Sequence, residues 1–200
     1  QSIYGKGMWA ASLRYHKDTF YVCFASYDTG KTYIYRTKNI NEPWEKRSLD
    51  GVYHHPSLLF DEDGRIYMGY GFNEVRILEL NDTLTAPKEG GFERLLVEEK
   101  QDAYISYEGA HFYKKDGTYY IFVIQWLKGN LTQREQLCLY GDSLDGEFKK
   151  EMVFSENLGF PMKGVAQGGI VDTPEGDWYS VMYQEHGAIG KMPVLVPVSW

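Results

Sequence analysis

Residues 57–68 read Ser57-Leu-Leu-Phe-Asp-Glu-Asp-Gly-Arg-Ile-Tyr-Met: an apolar run, a tight polar turn and a second run that carries an aromatic residue. The Asp63-Gly64 pair is a strong hairpin signal, because glycine adopts the positive φ that such turns demand. The same pattern returns at residues 12–22, 110–121 and 169–181, with Lys17-Asp18, Asp116-Gly117 and Glu175-Gly176 at the turns. The sequence therefore predicts one β-hairpin repeated four times.

The spacing of these hairpins indicates the architecture. Gly64, Gly117 and Gly176 lie 53 and 59 residues apart, with further strand candidates at 32–36, 74–80 and 136–140. Three of the repeats close on a last candidate, at 44–48, 92–97 and 148–153. Four short strands in roughly 50 residues is typical of a β-propeller blade. A solenoid or a β-sandwich is the alternative, although a sandwich would not repeat at this period. We predict one all-β propeller domain over 1–200 with about four blades, at 8–50, 53–99, 106–154 and 164–200.

Composition limits the partners. The net charge of −7 argues against a nucleic-acid partner, because phosphate binding needs clustered lysines and arginines. No apolar run approaches the roughly 20 residues of a membrane helix, so we expect no membrane partner. No signal-peptide pattern follows Gln1, and a start at glutamine indicates a processed chain or a fragment. Cys23 and Cys138 each lie in an apolar run, which predicts two buried free thiols, and a disulfide between them is the alternative.

The candidate site comes from equivalent positions in the repeats. In a propeller the first strand of each blade lines the axis, and the residues that enter it face the central opening. Counting back nine residues from each turn glycine gives His55, Glu108 and Gln167, and the shorter first turn gives Ala10, beside Trp9. Glu108 lies between apolar neighbours, where a carboxyl has a raised pKa and can act as a general acid. A surface glutamate or a structural hydrogen-bonding residue is the alternative for Glu108 taken alone.

Other side chains are candidates with weaker signals. Because neighbours on a strand point to opposite faces, we expect His54 and His55 to diverge, one at the opening and one beneath it, without sharing a metal ion. Trp9 and Trp126 are candidates for stacking on sugar rings, and a core position is the alternative for each. His186 is a candidate to reach the axis, and a hydrogen-bonded loop histidine is the alternative.

Several pieces of the chain, taken in order, resemble glycoside hydrolase family 43, closest to its members that act as β-xylosidases or α-arabinofuranosidases. They read Gly7-Met-Trp-Ala-Ala-Ser-Leu-Arg-Tyr-His, His54-His-Pro-Ser-Leu-Leu-Phe-Asp-Glu-Asp-Gly-Arg, Tyr107-Glu-Gly-Ala-His-Phe-Tyr-Lys, Gly164-Val-Ala-Gln-Gly-Gly-Ile-Val-Asp-Thr-Pro-Glu-Gly-Asp-Trp-Tyr and Glu185-His-Gly-Ala-Ile-Gly-Lys-Met-Pro-Val-Leu-Val-Pro-Val. The resemblance covers nearly the whole chain. It implies a five-bladed propeller in which these pieces belong to blades two to five.

The resemblance also implies a mechanism, inverting hydrolysis with one carboxylic acid on the leaving oxygen and one carboxylate base on water. It places the acid on Glu108. The aspartate that tunes this acid falls on His55, and the arginine of the last motif falls on Lys191, which lacks a bidentate fork. The base aspartate belongs to a first blade that would precede Trp9. The resemblance requires no cofactor, and it allows a structural calcium near Gln167 and His186.

We therefore predict a glycosidase that acts on oligosaccharides derived from xylan or arabinoxylan and that is catalytically incomplete within these 200 residues. The catalytic candidates are Glu108 and His55, and the sugar-binding candidates are Trp9, His54, Trp126, Gln167, His186 and Lys191. A non-catalytic carbohydrate-binding propeller is the alternative. A protein-interaction propeller of WD or kelch type is disfavoured, because the Gly-His and Trp-Asp dipeptides of those repeats do not occur.

Overall fold

The structure is a computed structural model that describes residues 6–98, 102–129, 133–160 and 164–200. The chain divides into two compact units, residues 1–98 and residues 99–200, and each unit is described by itself below. Strands dominate both units, and in the described ranges the one helical element is a 3₁₀ turn over Gly187–Ile189. No helix in those ranges is long and apolar enough to cross a bilayer.

The first unit holds two antiparallel sheets of four strands, and each strand pairs with the next along the chain. This serial order is the order of strands in a propeller blade. The first sheet contains β1 (Ser12–His16), β2 (Thr19–Ser26), β3 (Lys31–Thr37) and β4 (Glu45–Asp50). The second sheet contains β5 (Ser57–Phe60), β6 (Ile66–Tyr70), β7 (Glu74–Leu80) and β8 (Glu93–Glu98).

The second unit holds one sheet of four strands and one of three, again in serial order. The four-stranded sheet contains β9 (Ala103–Lys115), β10 (Thr118–Leu127), β11 (Glu135–Gly141) and β12 (Lys149–Phe154). The three-stranded sheet contains β13 (Val165–Asp172), β14 (Trp178–Glu185) and β15 (Lys191–Val198). The strands lie where the repeat predicts them, and the single-domain division of the chain stays a prediction.

All four predicted hairpins form, with turns of two different lengths. Hairpins β1–β2 and β9–β10 turn in two residues, Lys17-Asp18 and Asp116-Gly117, all with positive φ. These angles suit the type I′ turns that match strand twist. Hairpins β5–β6 and β13–β14 use longer loops, over 61–65 and 173–177, in which the turn glycine has a φ of 86° or 92°. The difference in length affects which residues are equivalent at the site.

Apolar side chains that alternate along the strands build the core of each unit. In the first unit both sheets contribute to one cluster, which includes Cys23, Ile34, Leu49, Leu58, Met68 and Leu78. In the second unit a smaller cluster of Phe122, Cys138 and Ile170 lies beside a cleft of about 530 Å³ between the two sheets. Cys23 and Cys138 are buried free thiols, as predicted.

Candidate active site

A β-bulge recurs in or just before the first strand of a sheet. In three sheets, two residues of the first strand face one residue of the second: His55 and Pro56 face Tyr70, Gly109 and Ala110 face Val123, and Gln167 and Gly168 face Met182. The first residue of each bulge is left-handed, with φ of 46° at His55, 72° at Gly109 and 58° at Gln167. Bulges redirect side chains and are frequent beside active sites, and a non-glycine residue with positive φ stores strain. The bulges therefore mark candidate functional positions within each unit.

The bulges correct the equivalence that was read from the turn glycines. By strand pairing, His55 and Gln167 are equivalent to Gly109, and Glu108 is equivalent to His54 and Ala166. The count of nine is one residue off at Glu108. The turn glycine lies two residues past the paired strand in hairpin β9–β10 and four residues past it in hairpins β5–β6 and β13–β14, and β9 is one residue longer between its bulge and its turn. The assignment of Glu108 as the acid now depends on its own surroundings and on the family resemblance.

In the first unit, Trp9, His54 and His55 lie together. The Trp9 amide donates to the carbonyl oxygen of Ala25 at 3.0 Å, which fixes the backbone just before β1. The Trp9 ring centroid lies 5.0 Å from that of His54 and 5.7 Å from that of His55. Both histidines are buried. Three of the predicted site residues thus share one aromatic cluster.

The expectation that the two histidines diverge is wrong. Their rings stack, with centroids 4.1 Å apart and planes 22° apart. The physical reason is that His54 and His55 precede β5 rather than lying in it, and the positive φ of His55 breaks the alternation of a strand.

Two aromatic residues that the sequence reasoning missed complete this cluster. Tyr27 follows β2, and its hydroxyl lies 2.7 Å from His54 Nδ1. Phe72 follows β6, and its ring meets that of His54 edge-on at 5.3 Å. Tyr27 is 41% exposed and Phe72 is 48% exposed. A pattern could have revealed both: in an antiparallel hairpin the end of the second strand lies beside the start of the first.

In the second unit, Glu108 lies within β9, directly opposite Ile124 of β10 and next to the bulge at Gly109. The strand begins at Ala103, so Glu108 is not at its start, as the sequence suggested. The residue is 8% exposed. A buried carboxyl at a bulge is a group that can hold a proton for transfer to a ligand.

Gln167 lies against the same bulge. An added Cβ on Gly109 would stand 2.7 Å from Gln167 Cγ, so the backbone at Gly109 and the Gln167 side chain are in close contact. The backbone N–H of Gln167 donates to Gln136 Oε1 at 2.8 Å, and the side-chain Oε1 of Gln167 accepts from the Tyr183 hydroxyl at 2.9 Å. These bonds hold Gln167 in place despite its left-handed backbone.

Trp126 and Lys191 meet a pair of residues that the sequence did not single out. The guanidinium carbon of Arg134 lies 5.1 Å from the Trp126 ring centroid and 5.8 Å from that of Tyr183. Lys191 Nζ lies 4.3 Å from the Tyr183 centroid. Tyr183 therefore connects these residues. Its ring contacts Lys191 and Arg134, which also lies over Trp126, and its hydroxyl donates to Gln167.

His186 lies apart from this group. Its ring stacks on Phe160 at 4.0 Å, and its Nε2 lies 2.8 Å from Gln184 Oε1. With Gln167 it supplies few of the six to eight oxygen ligands that calcium takes, and the Gln167 oxygen already accepts from the Tyr183 hydroxyl. The described residues of the second unit offer no group of three close histidines, cysteines or carboxylates there. The calcium stays a prediction.

Comparison with known proteins decides the family, since the sequence pattern of "Glycosyl hydrolases family 43" matches residues 1–200. The chain belongs to glycosyl hydrolase family 43. It is 28% identical to a putative beta-xylosidase of Xylanibacter ruminicola over 98% of this chain and 37% of that protein. It is 26% identical to a xylosidase/arabinosidase of Butyrivibrio fibrisolvens over 93% of this chain and 39% of that protein.

A solved structure gives the fold of this family 43 chain independent support. A bifunctional GH43-CE protein of Bacteroides eggerthii matches it with a TM-score of 0.88 and 38% identity, over 98% of this chain and 25% of the other. The predicted fold class, all-β with about four blades of propeller type, is confirmed. The chain spans less than two fifths of the length of these two curated relatives.

Proposed function

We propose that this family 43 chain carries the general acid and part of the sugar-binding surface of a glycoside hydrolase acting on xylan- or arabinoxylan-derived glycosides. The observation that carries the proposal is the buried carboxyl of Glu108 beside the β9 bulge, in a chain of a glycosyl hydrolase family. Relatives named as a putative beta-xylosidase and a xylosidase/arabinosidase support the substrate class.

In the proposed mechanism, Glu108 donates its proton to the glycosidic oxygen as the bond to the anomeric carbon breaks. A base removes a proton from a water that attacks the opposite face, which inverts the anomeric configuration. We assign the base to none of the described residues. A catalytic role of His55 stays a prediction, and a His55→Asp variant that hydrolyses faster would support its place as the residue that tunes the acid.

The test is hydrolysis of aryl β-xylosides and aryl α-arabinofuranosides by the full-length protein that contains this chain. Glu108→Gln should lower the rate about 10²- to 10⁴-fold, the usual contribution of a positioned acid. Glu151→Gln is the matched control, because Glu151 is an exposed glutamate in β12 of the same sheet. NMR of the first-formed sugar should show inversion. Equal rates for Glu108→Gln and the unaltered protein would refute the proposal.

The aromatic cluster of the first unit supports a second candidate, sugar binding without catalysis. Trp9, Tyr27 and Phe72 gather around His54, and the last two rings are substantially exposed. Exposed aromatic faces stack on sugar rings, whatever the chemistry at Glu108. Calorimetric titration with xylo-oligosaccharides decides this candidate: binding in a protein that hydrolyses none of the glycosides supports it, and no binding at millimolar sugar refutes it.

A further inference from the structure

Arg134 is a buried cation whose surroundings leave part of it without hydrogen bonds. It lies just before β11 and is 8% exposed. Its Nη2 is 3.1 Å from Glu185 Oε2 at the end of β14. Its Nε and Nη1 are buried and have no hydrogen-bond partner among the residues the structure describes. A guanidinium carries five N–H donors, so the single ion pair leaves most of its hydrogen-bonding capacity unused.

The stability of the fold does not explain this placement. Buried donors that lack partners lower stability, and an apolar side chain here together with a neutral residue at position 185 would fill the same volume without that loss. What Arg134 does contact well are two aromatic rings, Trp126 from β10 and Tyr183 from β14. A planar guanidinium orients the rings it stacks on, which the rounded ammonium of a lysine does not.

Both rings lead to residues of the candidate site. Trp126 is the sugar-stacking candidate of the third sheet. Tyr183 donates its hydroxyl to Gln167 Oε1, and Gln167 lies against the bulge that follows Glu108. A shift of Arg134 would therefore move both a stacking surface and the side chain that packs beside the proposed acid.

We propose that Arg134 is a positioning and specificity-determining residue, which holds the ring planes of Trp126 and Tyr183 so that the sugar of the proposed reaction binds in one orientation. The inference rests on the proposed function for the identity of the ligand. It concerns binding of the sugar, because the contacts described above join Arg134 to the acid indirectly, through Tyr183 and Gln167. Loss of the residue therefore changes KM more than kcat.

The test compares Arg134→Met and Arg134→Lys in the full-length protein, with xylobiose and an aryl xyloside as substrates. Arg134→Met should raise KM about tenfold and change kcat less than about threefold, as expected for a lost cation–π contact that acts on ligand binding. Its Tm should fall no further than that of Glu185→Gln, which breaks the same ion pair. The KM of Arg134→Lys should lie between those of Arg134→Met and the unaltered protein. Lys46→Met is the control, since Lys46 Nζ lies 4.5 Å from the Tyr33 centroid in the first sheet.

A spectroscopic readout separates this inference from the proposed function. With 5-fluorotryptophan, the ¹⁹F resonance assigned by Trp126→Phe should shift in Arg134→Met and stay in place in Lys46→Met. If the unaltered protein hydrolyses no glycoside, the proposed function fails while the resonance still tests the positioning role. An unmoved resonance, or a Tm that falls in step with kcat and KM, would show that Arg134 is a structural residue only.

Discussion

Gly109→Ala perturbs the bulge beside the proposed acid, and its effect can be worked out in two parts. The φ of Gly109 is +72°, a left-handed angle that costs a residue with a Cβ about 1–2 kcal/mol. The new Cβ would stand 2.7 Å from Gln167 Cγ and 3.0 Å from its Nε2, so the side chain must move. Moving it breaks the hydrogen bond from the Tyr183 hydroxyl, which contributes about 1 kcal/mol.

The expected loss in the free energy of unfolding is therefore about 2–3 kcal/mol, measured by urea denaturation. Gly117→Ala is the matched control. Gly117 has a φ of +83° in the β9–β10 turn, and an added Cβ would meet nothing within 4 Å. The free energy of unfolding of Gly117→Ala should fall only by the cost of the left-handed backbone, about 1–2 kcal/mol. Hydrolysis by Gly109→Ala should also fall, while the control keeps its activity. Equal losses of stability in the two variants would refute the contact with Gln167.

Three further outcomes follow from other parts of the chain. Burial, aided by the charge of Glu151, raises the pKa of the Cys138 thiol to about 12, so its reaction with Ellman's reagent at pH 8 should be about a thousandfold slower than in urea; equal rates would contradict its burial. Burial opposes the charge on Glu79, but hydrogen bonds from Lys88 Nζ and the Phe92 amide outweigh it and leave the Glu79 pKa below its ordinary value. The stability gained is present above the unfolded pKa and is lost as the pH falls through the folded one, so Glu79→Gln should flatten the acid side of an unfolding curve; an unchanged slope would argue against the ion pair. Trp9→Ala should weaken xylo-oligosaccharide binding about tenfold in calorimetry, and undiminished affinity would remove Trp9 from the sugar surface.

The hairpins were predictable because each is a local event. Asp63-Gly64, Asp116-Gly117 and Glu175-Gly176 specify turns through glycine φ angles, and the alternating runs on either side specify strands. The buried thiols followed from their apolar neighbours in the same way. Such features can be predicted from a short stretch of one sequence, because they need no partner that is distant along the chain.

The details of the site were harder to predict because they depend on register and on distant contacts. The count from the turns misses by one residue at Glu108 because the hairpin loops and the first strands differ in length, and the positive φ of His55 breaks the alternation that was expected to separate the two histidines. Arg134 and Glu185 are 51 residues apart in the sequence, and no local pattern predicts their ion pair. Tyr27 and Phe72 lie in the cluster because antiparallel pairing places the end of the second strand beside the start of the first, and this rule can be used from the sequence alone.

The measurement that tests the central claim most directly is the dependence of hydrolysis on the leaving group. A general acid matters only when the departing oxygen needs a proton. In full-length protein carrying Glu108→Ala, hydrolysis of xylobiose should therefore nearly disappear, whereas hydrolysis of 2,4-dinitrophenyl xyloside should stay close to that of the unaltered protein. A variant that slows both substrates by the same factor, or neither, would contradict the assignment of Glu108 as the acid.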